Sequence, residues 1–357
     1  MNTNTNNSHR QCGFTLIELM VAIVLSLVLL TGITYVVVNS NKSYNSTDSL
    51  ARLQENARFA MQFLTQDIRR TGYMGCANDV SAVNTTLNDR SYGNATFAVL
   101  PLEGVDNIAS GSTWSPSGTA LGLSKTPIAG SDAIRTNYLD LTNPITIVQE
   151  MPNESASLFV NTGSGLKTGD IIALTDCSSA DIMQITNTNG SGGPAGKDGM
   201  VHNAGTGDVP GNSTQKLSKS YGANSTILKF QSSSYYVAIN GNGIGALYRQ
   251  SPGGGVEELV EGVDSLQIVY GFANADRAPS LYKKASAITS ANDWSKSVVS
   301  VRIALLLSTV ASTPDGQYGR DVDTGTYDVN GTTVGPFNDR RQRRVFASTI
   351  ALRNLKK

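Results

Sequence analysis

The sequence predicts an α+β protein in which a long amino-terminal helix packs on a large antiparallel β-rich head. Near its start the chain has an uncharged apolar run, Leu19–Val38. A helical apolar repeat follows and ends near Gly72, and beyond that glycine the apolar residues alternate with a period of two. These periods are those of a helix and of a strand, respectively. One long helical segment followed by many strand segments is typical of the α+β class.

The apolar run is long enough to cross a membrane. It holds 20 residues without a formal charge, and a helix needs about 20 to span the hydrocarbon core of a bilayer. A cleaved secretory signal has a shorter apolar core and a small-residue cleavage site, whereas this run ends in YVVVNSNKSYN. A lipoprotein signal would place its cysteine after the apolar core, but Cys12 precedes it. The sequence therefore predicts a membrane helix that the protein keeps.

Glu18, at the edge of this run, needs an explanation. A carboxylate inside a bilayer costs a few kcal/mol or more. That cost is tolerated where a partner neutralises the charge. The alternative is a side chain that simply reaches the headgroup layer, and the residues alone leave both explanations open.

The next segment predicts the second half of the helix. Its apolar residues recur at spacings of three and four, as on one face of a helix. They are Leu50, Leu53, Ala57, Ala60, Leu64 and Ile68. Arg69 and Arg70 suit the negative end of the helix dipole, and Gly72 suits the termination of the helix.

Two arrangements of this helix satisfy the pattern. It either runs unbroken over residues 14–71 or breaks near residues 41–45. In the second case Thr47 or Asp48 would cap the amino end of the new helix.

Short strands make up the predicted head. Segments of alternating or continuous apolar residues lie between turns rich in Gly, Asn and Pro. The segments are SDAIRTNYLDL, NPITIVQEM, SASLFVN, GDIIALTDC, ADIMQITN, STILKFQ, SYYVAIN, EELVEGVDSLQIVYGF, SVVSVRIALLLST and RRVFASTIALRN. A short helix near residues 283–291 and a long mobile loop over residues 189–216 are also predicted.

Composition excludes several classes of function. The chain has 28 basic and 28 acidic residues, so no net charge draws it to nucleic acid. It contains two histidines, which excludes a His-rich metal site and a pair of catalytic histidines. A Ser-His-Asp arrangement could use only His202. The surroundings of that residue, KDGMVHNAGTGDVPG, predict the tip of a loop instead.

Two charged segments near the carboxyl terminus invite a functional interpretation. RDVDTGTYDVNG places Asp321, Asp323 and Asp328 at spacings that could hold calcium, but the closing glutamate of an EF-hand is missing. A solvated turn is the better prediction, so no metal is expected. RRQRR at residues 340–344 could touch DNA or acidic lipid, and the preferred interpretation is a charged flank that protects the edge of the last strand.

The start of the chain resembles a known processing signal. A short polar leader ends in Gly13, and FTLIE and the apolar run follow it. This pattern resembles the class III signal of type IV prepilins and of the pseudopilins of type II secretion. The resemblance implies cleavage after Gly13 by prepilin peptidase and N-methylation of the new amino terminus at Phe14. It also implies that Glu18 pairs with the Phe14 amine of a neighbouring subunit during assembly.

Segments of the head resemble the PilW family of type IV pilus assembly proteins. They are DIRRTGYMGC, GDIIALTDCSSADIMQIT, LVEGVDSLQIVYG and RRVFASTIALRN. The resemblance implies a pilin-like fold and a non-enzymatic minor pilin, without cofactor, that primes and assembles type IV pili near the pilus tip. The implied outcomes are twitching motility, adhesion and DNA uptake. A J-like minor pseudopilin of type II secretion is one alternative, and a membrane-anchored exported binding module or enzyme is an alternative of another class.

The resemblance also implies a division of the chain, a location and partners. The leader is 1–13, the transmembrane helix 14–38, the amphipathic half of the helix 39–72 and the head 73–357. The protein is expected in the inner membrane of a Gram-negative bacterium with a periplasmic head, and later in the cell-surface pilus. Expected partners are prepilin peptidase, the major pilin, other minor pilins, a PilC/PilY-type tip adhesin and the inner-membrane assembly platform. Direct contact with nucleic acid is not expected.

The cysteines are expected to form a disulfide. Cleavage after Gly13 would leave two of them, Cys76 and Cys177. An even number in an exported domain indicates a bridge, which would close a loop of about 100 residues and contribute about 4–5 kcal/mol in the chain-entropy model. Two buried thiols without a bridge are the alternative.

Replacing Gly13 tests the implied cleavage. In cells with an active prepilin peptidase, the wild-type chain should begin at a methylated Phe14. Gly13→Val should keep the leader and lack the methyl group, because a branched side chain replaces the glycine at the cut. Intact-mass spectrometry measures both differences. A wild-type chain that begins at Met1, or equal masses for the two chains, would contradict the leader assignment.

Overall fold

The computed structural model describes most of the chain as one long helix and a β-rich head, which confirms the expected α+β, pilin-like fold. The described residues are 15–76, 83–88, 100–189, 196–205, 207, 210–251, 255–274, 278–310 and 322–354. The leader, Gly13, Phe14 and Asp321 lie outside these residues.

The helix α1 runs unbroken over Leu16–Arg70. Its 55 residues correspond to about 80 Å at 1.5 Å per residue. The break considered near residues 41–45 does not occur, and the hydroxyl of Thr47 donates to a carbonyl of the same helix. The helix ends where the sequence predicts, with Thr71 as its cap and Gly72 in the left-handed region at φ 76°.

The described part of the head contains seventeen strands. They are β1 Val83–Thr85, β2 Leu102–Val105, β3 Ala133–Thr146, β4 Leu158–Asn161, β5 Ile171–Thr175, β6 Ala180–Gln184, β7 Asn187–Asn189, β8 Lys197–Val201, β9 Thr226–Ile239, β10 Gly245–Gln250, β11 Val256–Glu261, β12 Val263–Ala273, β13 Pro279–Lys283, β14 Val298–Ser308, β15 Tyr327–Val329, β16 Thr332–Val334 and β17 Arg343–Ala351. A 3₁₀ turn at Ala285–Ala287 and a π-helical turn at Asp293–Ser297 lie in or just after the segment where a short helix was expected.

The larger sheet is built around β9. On one side β3 pairs with β9, and on the other side β5 pairs with its first part and β10 with its second. β2 extends the sheet beyond β3, β11 extends it beyond β10, and β6 and β1 extend it beyond β5. These pairs are antiparallel, except for β1 with β6.

The smaller sheet and the helix enclose the main core. The strand order is β13-β12-β14-β17, and all pairs are antiparallel. Five of the six residues of the predicted helical stripe pack on it and on the larger sheet, each at most 2% exposed. They are Leu53, Ala57, Ala60, Leu64 and Ile68. Leu50, which the spacing also placed on this face, is half-buried.

Two small units complete the head. β4, β8 and β7 form a three-stranded sheet over a second apolar cluster. The β15–β16 hairpin packs Val329 against Ala304 and Leu306 of β14, on the face of the smaller sheet that points away from α1.

The structure corrects two predictions about loops and strands. STILKFQ and SYYVAIN form the single strand β9, because the serines between them lie in the sheet and pair with β3. The predicted long loop over residues 189–216 contains β8, and His202 directly after it is 2% exposed rather than at a loop tip.

Asp132, just before β3, joins the two sheets. Its carboxylate accepts the N–H groups of Asn107 at 2.9 Å and of Ile268 in β12 at 2.7 Å, and it is 1% exposed. Burial raises the pKa of this carboxyl to about 7. Because the folded protein then holds the proton more tightly than the unfolded chain, this group favours folding below about pH 4, and its contribution is lost as the pH rises through about 7.

Truncating the helical stripe should destabilise the head. Leu64 is fully buried, so Leu64→Ala should lower the free energy of unfolding by about 2–5 kcal/mol. Gln66→Ala, on the exposed face of the same helix, should stay within about 0.5 kcal/mol of wild type. Denaturant unfolding of the full chain in detergent, followed by the fluorescence of the buried Trp114 and Trp294, measures both. Equal losses for the two variants would show that the helix does not dock through this face.

Candidate functional site

The first turn of α1 is closed by Thr15 and Glu18. The Thr15 hydroxyl accepts the Glu18 N–H at 3.4 Å, and Glu18 Oε2 accepts both the N–H and the hydroxyl of Thr15 at 2.9 Å. This reciprocal arrangement is a capping box, which satisfies backbone donors that a helix start leaves unpaired. The bonds end on Oε2, and within the described residues Oε1 accepts no hydrogen bond. One carboxylate oxygen is therefore left to bind a donor from outside this turn.

The apolar half of α1 has no packing partner in the described structure. Its large side chains from Leu16 to Val38 are each at least 45% exposed. Among the described residues, α1 is the helix that is both long enough and apolar enough to cross a membrane. Its mean hydropathy is 2.6 over its most apolar stretch. The burial of side chains begins at Ser49, so the head covers only the second half of the helix.

Asp67 ties the helix to the larger sheet. Its carboxylate is 6% exposed and accepts the hydroxyls of Tyr138 at 3.2 Å and of Tyr235 at 2.6 Å. Burial and the nearby Asp67 charge raise the pKa of Tyr138 to about 12 and raise that of Tyr235 further, so both hydroxyls stay protonated and donate.

The last strand is fastened to the helix at both of its ends. Gln342, just before β17, donates from Nε2 to Ser46 Oγ at 2.9 Å. Asn354, just after β17, donates from Nδ2 to the carbonyls of Arg69, Arg70 and Thr71 at 3.2–3.4 Å. The bonds from Asn354 satisfy carbonyls that the end of the helix leaves unpaired. Together with the bond from Gln342, they fix β17 alongside α1.

A disulfide closes the segment that leaves the helix. The sulfurs of Cys76 and Cys177 are joined at 2.05 Å, across 101 positions of sequence. Cys177 lies in the turn between β5 and β6, where Thr175 Oγ1 accepts its N–H at 3.2 Å. The bridge therefore connects the segment after α1 to the β5–β6 turn of the larger sheet.

The acidic segment considered for calcium serves another purpose where it is described. Oδ1 of Asp323 accepts the Gly325 N–H, and its Oδ2 accepts the Tyr327 hydroxyl and Arg343. Asp328 accepts the N–H of Gly331 in the turn of the β15–β16 hairpin. The described residues contain no group of three or more metal-ligating side chains.

Arg343 is the charged residue that sequence reasoning missed. It was predicted as part of an exposed basic flank, but its side chain is 1% exposed. It pairs with Asp264 at 2.8 Å, with Asp323 at 2.9 Å and with Asp339 at 2.6 Å, and it lies over the Phe337 ring. The three carboxylates come from separate segments: Asp264 from β12, Asp323 from the chain before β15, and Asp339 from the chain before β17. The guanidinium on β17 therefore joins all three segments.

His202 does not form a surface catalytic site. It is 2% exposed, and burial lowers its pKa, which favours the neutral ring. It lies directly after β8, and both of its ring nitrogens are buried away from solvent.

Comparison with known families decides between the readings of the sequence. A family model described as Type IV Pilus-assembly protein W matches residues 234–354, and one described as the prokaryotic N-terminal methylation motif matches residues 8–34. The carboxyl-terminal third of the chain is a PilW-family domain, and the amino terminus carries the prepilin methylation motif. The role of the chain is that of a minor pilin in type IV pilus assembly, together with the assembly machinery and other pilins, and the membrane-anchored helix fits that role. The match favours type IV pili over type II secretion.

The matched regions correspond to distinct parts of the fold. The PilW match begins in β9 and includes the whole smaller sheet. A search of curated proteins found no match. Among solved structures, a type IV-like pilin from Thermus thermophilus aligns over 86% of this chain and 98% of its own, at 13% identity and a TM-score of 0.31. The chain's own long helix and β-rich head, rather than this alignment, define its fold.

Removing the disulfide should destabilise the head of this pilin. The double variant Cys76→Ser/Cys177→Ser should lose about 4–5 kcal/mol, because the unfolded chain regains the entropy of a loop of about 100 residues. Denaturant unfolding in detergent of the uncleaved chain, produced in cells without prepilin peptidase, measures the loss, and Cys12→Ser is the control outside the bridge. An unchanged midpoint in the double variant, or labelling of Cys76 by a thiol reagent in the non-reduced wild type, would contradict the bridge.

Proposed function

We propose that Glu18 drives assembly by pairing with the amine of Phe14 on a neighbouring subunit. Cleavage after Gly13 by prepilin peptidase would create this amine, and N-methylation would follow. The methylation motif over residues 8–34 supports the processing, since it includes both sites. The observation that carries the pairing is Oε1 of Glu18, which accepts no hydrogen bond from any described residue, because the capping box uses the other oxygen.

The energetics favour a partner over a lone subunit. A carboxylate at the edge of the apolar run is costly in lipid while it is unpaired. A cationic amine from a neighbour removes that cost and adds a charge-assisted hydrogen bond. The pairing also fixes register, since only one residue of the apolar half is acidic.

We place this minor pilin in the priming complex near the tip of the pilus. The size of the head, residues 73–357, supports a low-abundance subunit rather than the bulk of the filament. Its proposed contacts are the major pilin and other minor pilins, a PilC/PilY-type tip adhesin and the inner-membrane assembly platform. The proposed outcomes are twitching motility, adhesion and DNA uptake, and the protein itself performs no catalysis.

The proposed location follows from the division of the helix. Residues 14–38 cross the inner membrane of a Gram-negative bacterium, residues 39–72 carry the head, and residues 73–357 lie in the periplasm before the subunit enters the pilus. The disulfide supports this side of the membrane, because such bridges persist in oxidising compartments.

Glu18→Ala tests the pairing. Membrane insertion should be unchanged, since the apolar run remains. Incorporation into pili should fall about 100-fold or more, because removing one partner of a buried pair costs about 3–5 kcal/mol. Membrane fractionation and immunoblots of sheared pili measure the two effects.

Glu55→Ala is the matched control for this experiment. Glu55 is an exposed acid on the same helix, beyond the apolar half, with Arg58 at 3.9 Å. That variant should assemble like wild type. Normal piliation with Glu18→Ala, or equal defects in both variants, would contradict a specific role for Glu18.

A further inference from the structure

The direction of β17 shows which end of the head lies nearest the membrane. Its two fastenings, Gln342 to Ser46 and Asn354 to the end of α1, require strand and helix to run in the same direction. The extended chain between these fastenings and the helix between their partners both span about 36–40 Å, so the two lengths agree. The segment RRQRR, residues 340–344, therefore lies at the membrane-proximal end of the head.

The distance from this end to the bilayer is short. Ser46 lies eight residues beyond Val38, the last residue of the apolar run, which is about 12 Å along the helix. The headgroup layer fills about 5–7 Å of that distance. The remaining gap of about 5 Å is within one Debye length at physiological salt, about 8 Å. Charges at the level of Gln342 therefore act on the lipid surface.

Most of the cationic side chains at this level are exposed and can extend away from the head. Arg340 and Arg344 flank Gln342, are exposed and form no ion pair among the described residues. Arg341 is half-buried, 4.0 Å from an aspartate, and Lys42 is exposed on α1 below Ser46. Lysine and arginine can extend their charged ends toward a membrane surface while the stem stays on the protein.

Among the described residues, the acidic side chains at this level are already paired. Asp264, Asp323 and Asp339 all bind the buried Arg343. Asp48 pairs with Arg52 at 2.9 Å on α1. Glu261 and Glu55 lie near Asn56, about 15 Å farther from the membrane along the helix. Among the described residues, the cations of RRQRR together with Lys42 therefore outnumber the carboxylates beside them.

We propose that Lys42, Arg340 and Arg344 form a basic collar that holds the head against anionic phospholipid headgroups before the subunit leaves the membrane. Each such cation near an anionic surface increases the population of the docked head about fivefold. Because the head is rigidly joined to α1, the collar fixes the height of the head above the bilayer and the tilt of the helix. This goes beyond the assembly role and requires only that residues 19–38 cross a bilayer.

The experiment measures how fast phenylglyoxal modifies individual arginines of the full-length protein. The protein is placed in nanodiscs of phosphatidylcholine alone or of phosphatidylcholine with phosphatidylglycerol, and modified peptides are quantified by mass spectrometry. In the anionic nanodiscs the reaction rates of Arg340, Arg341 and Arg344 should be reduced at least about fivefold. High salt should abolish this protection. The exposed Arg353 at the far end should react equally in both.

Two matched variants test the charges themselves. In Arg340→Gln/Arg344→Gln the protection of Arg341 should be lost, whereas in Arg69→Gln/Arg353→Gln, which removes two exposed arginines from the far end, it should remain. Unchanged tryptophan emission establishes that each variant is folded.

Equal rates in the two lipids, or protection of Arg341 that survives in the first variant, would overturn the proposal. Equal rates in the two lipids combined with protection by added duplex DNA would assign the segment to nucleic acid instead. Neither result depends on filament assembly.

Discussion

An acidic side chain at the edge of a membrane helix is the constraint on which the proposed assembly depends. Locally, Glu18 is useful, because with Thr15 it closes the first helical turn. That use engages one oxygen and leaves the charge itself uncompensated. In lipid the uncompensated charge is costly, so the subunit gains free energy when a cationic group meets it. The same carboxylate begins the helix and, in the proposed assembly, favours association.

The unbroken helix α1 has an exposed apolar half and a half that is buried against the head. Its first half is apolar and exposed, without a packing partner among the described residues, and its second half packs into the main core of the head. The junction is stiffened by polar contacts as well as by apolar packing, through Asp67 with two tyrosines and through Asn354 at the helix end. A rigid connection means that an interaction at the amino terminus determines where the head of each subunit lies.

Local pattern predicted much of this fold, and distant contacts explain what it missed. The spacing of the helical stripe located its buried face, and alternation located β12, β14 and β17, because both signals are contained within a few neighbouring residues. Asp67 carried a readable signal, since it lies between Leu64 and Ile68 on the buried side of the helix and so required a buried partner.

Arg343 and β9 show why the remainder could not be predicted. The local sequence predicts an exposed basic flank at Arg343, but its burial depends on Asp264, 79 positions earlier in the chain. The serines within β9 suggested a turn, but pairing with β3 satisfies their backbone in a strand. Neither contact has a local signature. At the amino terminus the motif indicates processing, whereas the availability of one Glu18 oxygen required the structure.

Zero-length cross-linking is the most direct measurement of the proposed pairing. A membrane-permeable carbodiimide joins a carboxylate to an amine only when the two are in contact. Cells that express isotopically heavy and light copies of the protein distinguish links between subunits from links within one. The account predicts a peptide that joins Glu18 of this protein to the processed amino terminus of a neighbouring pilin. Links found only within single chains, or an unreacted Glu18 in assembled pili, would contradict it.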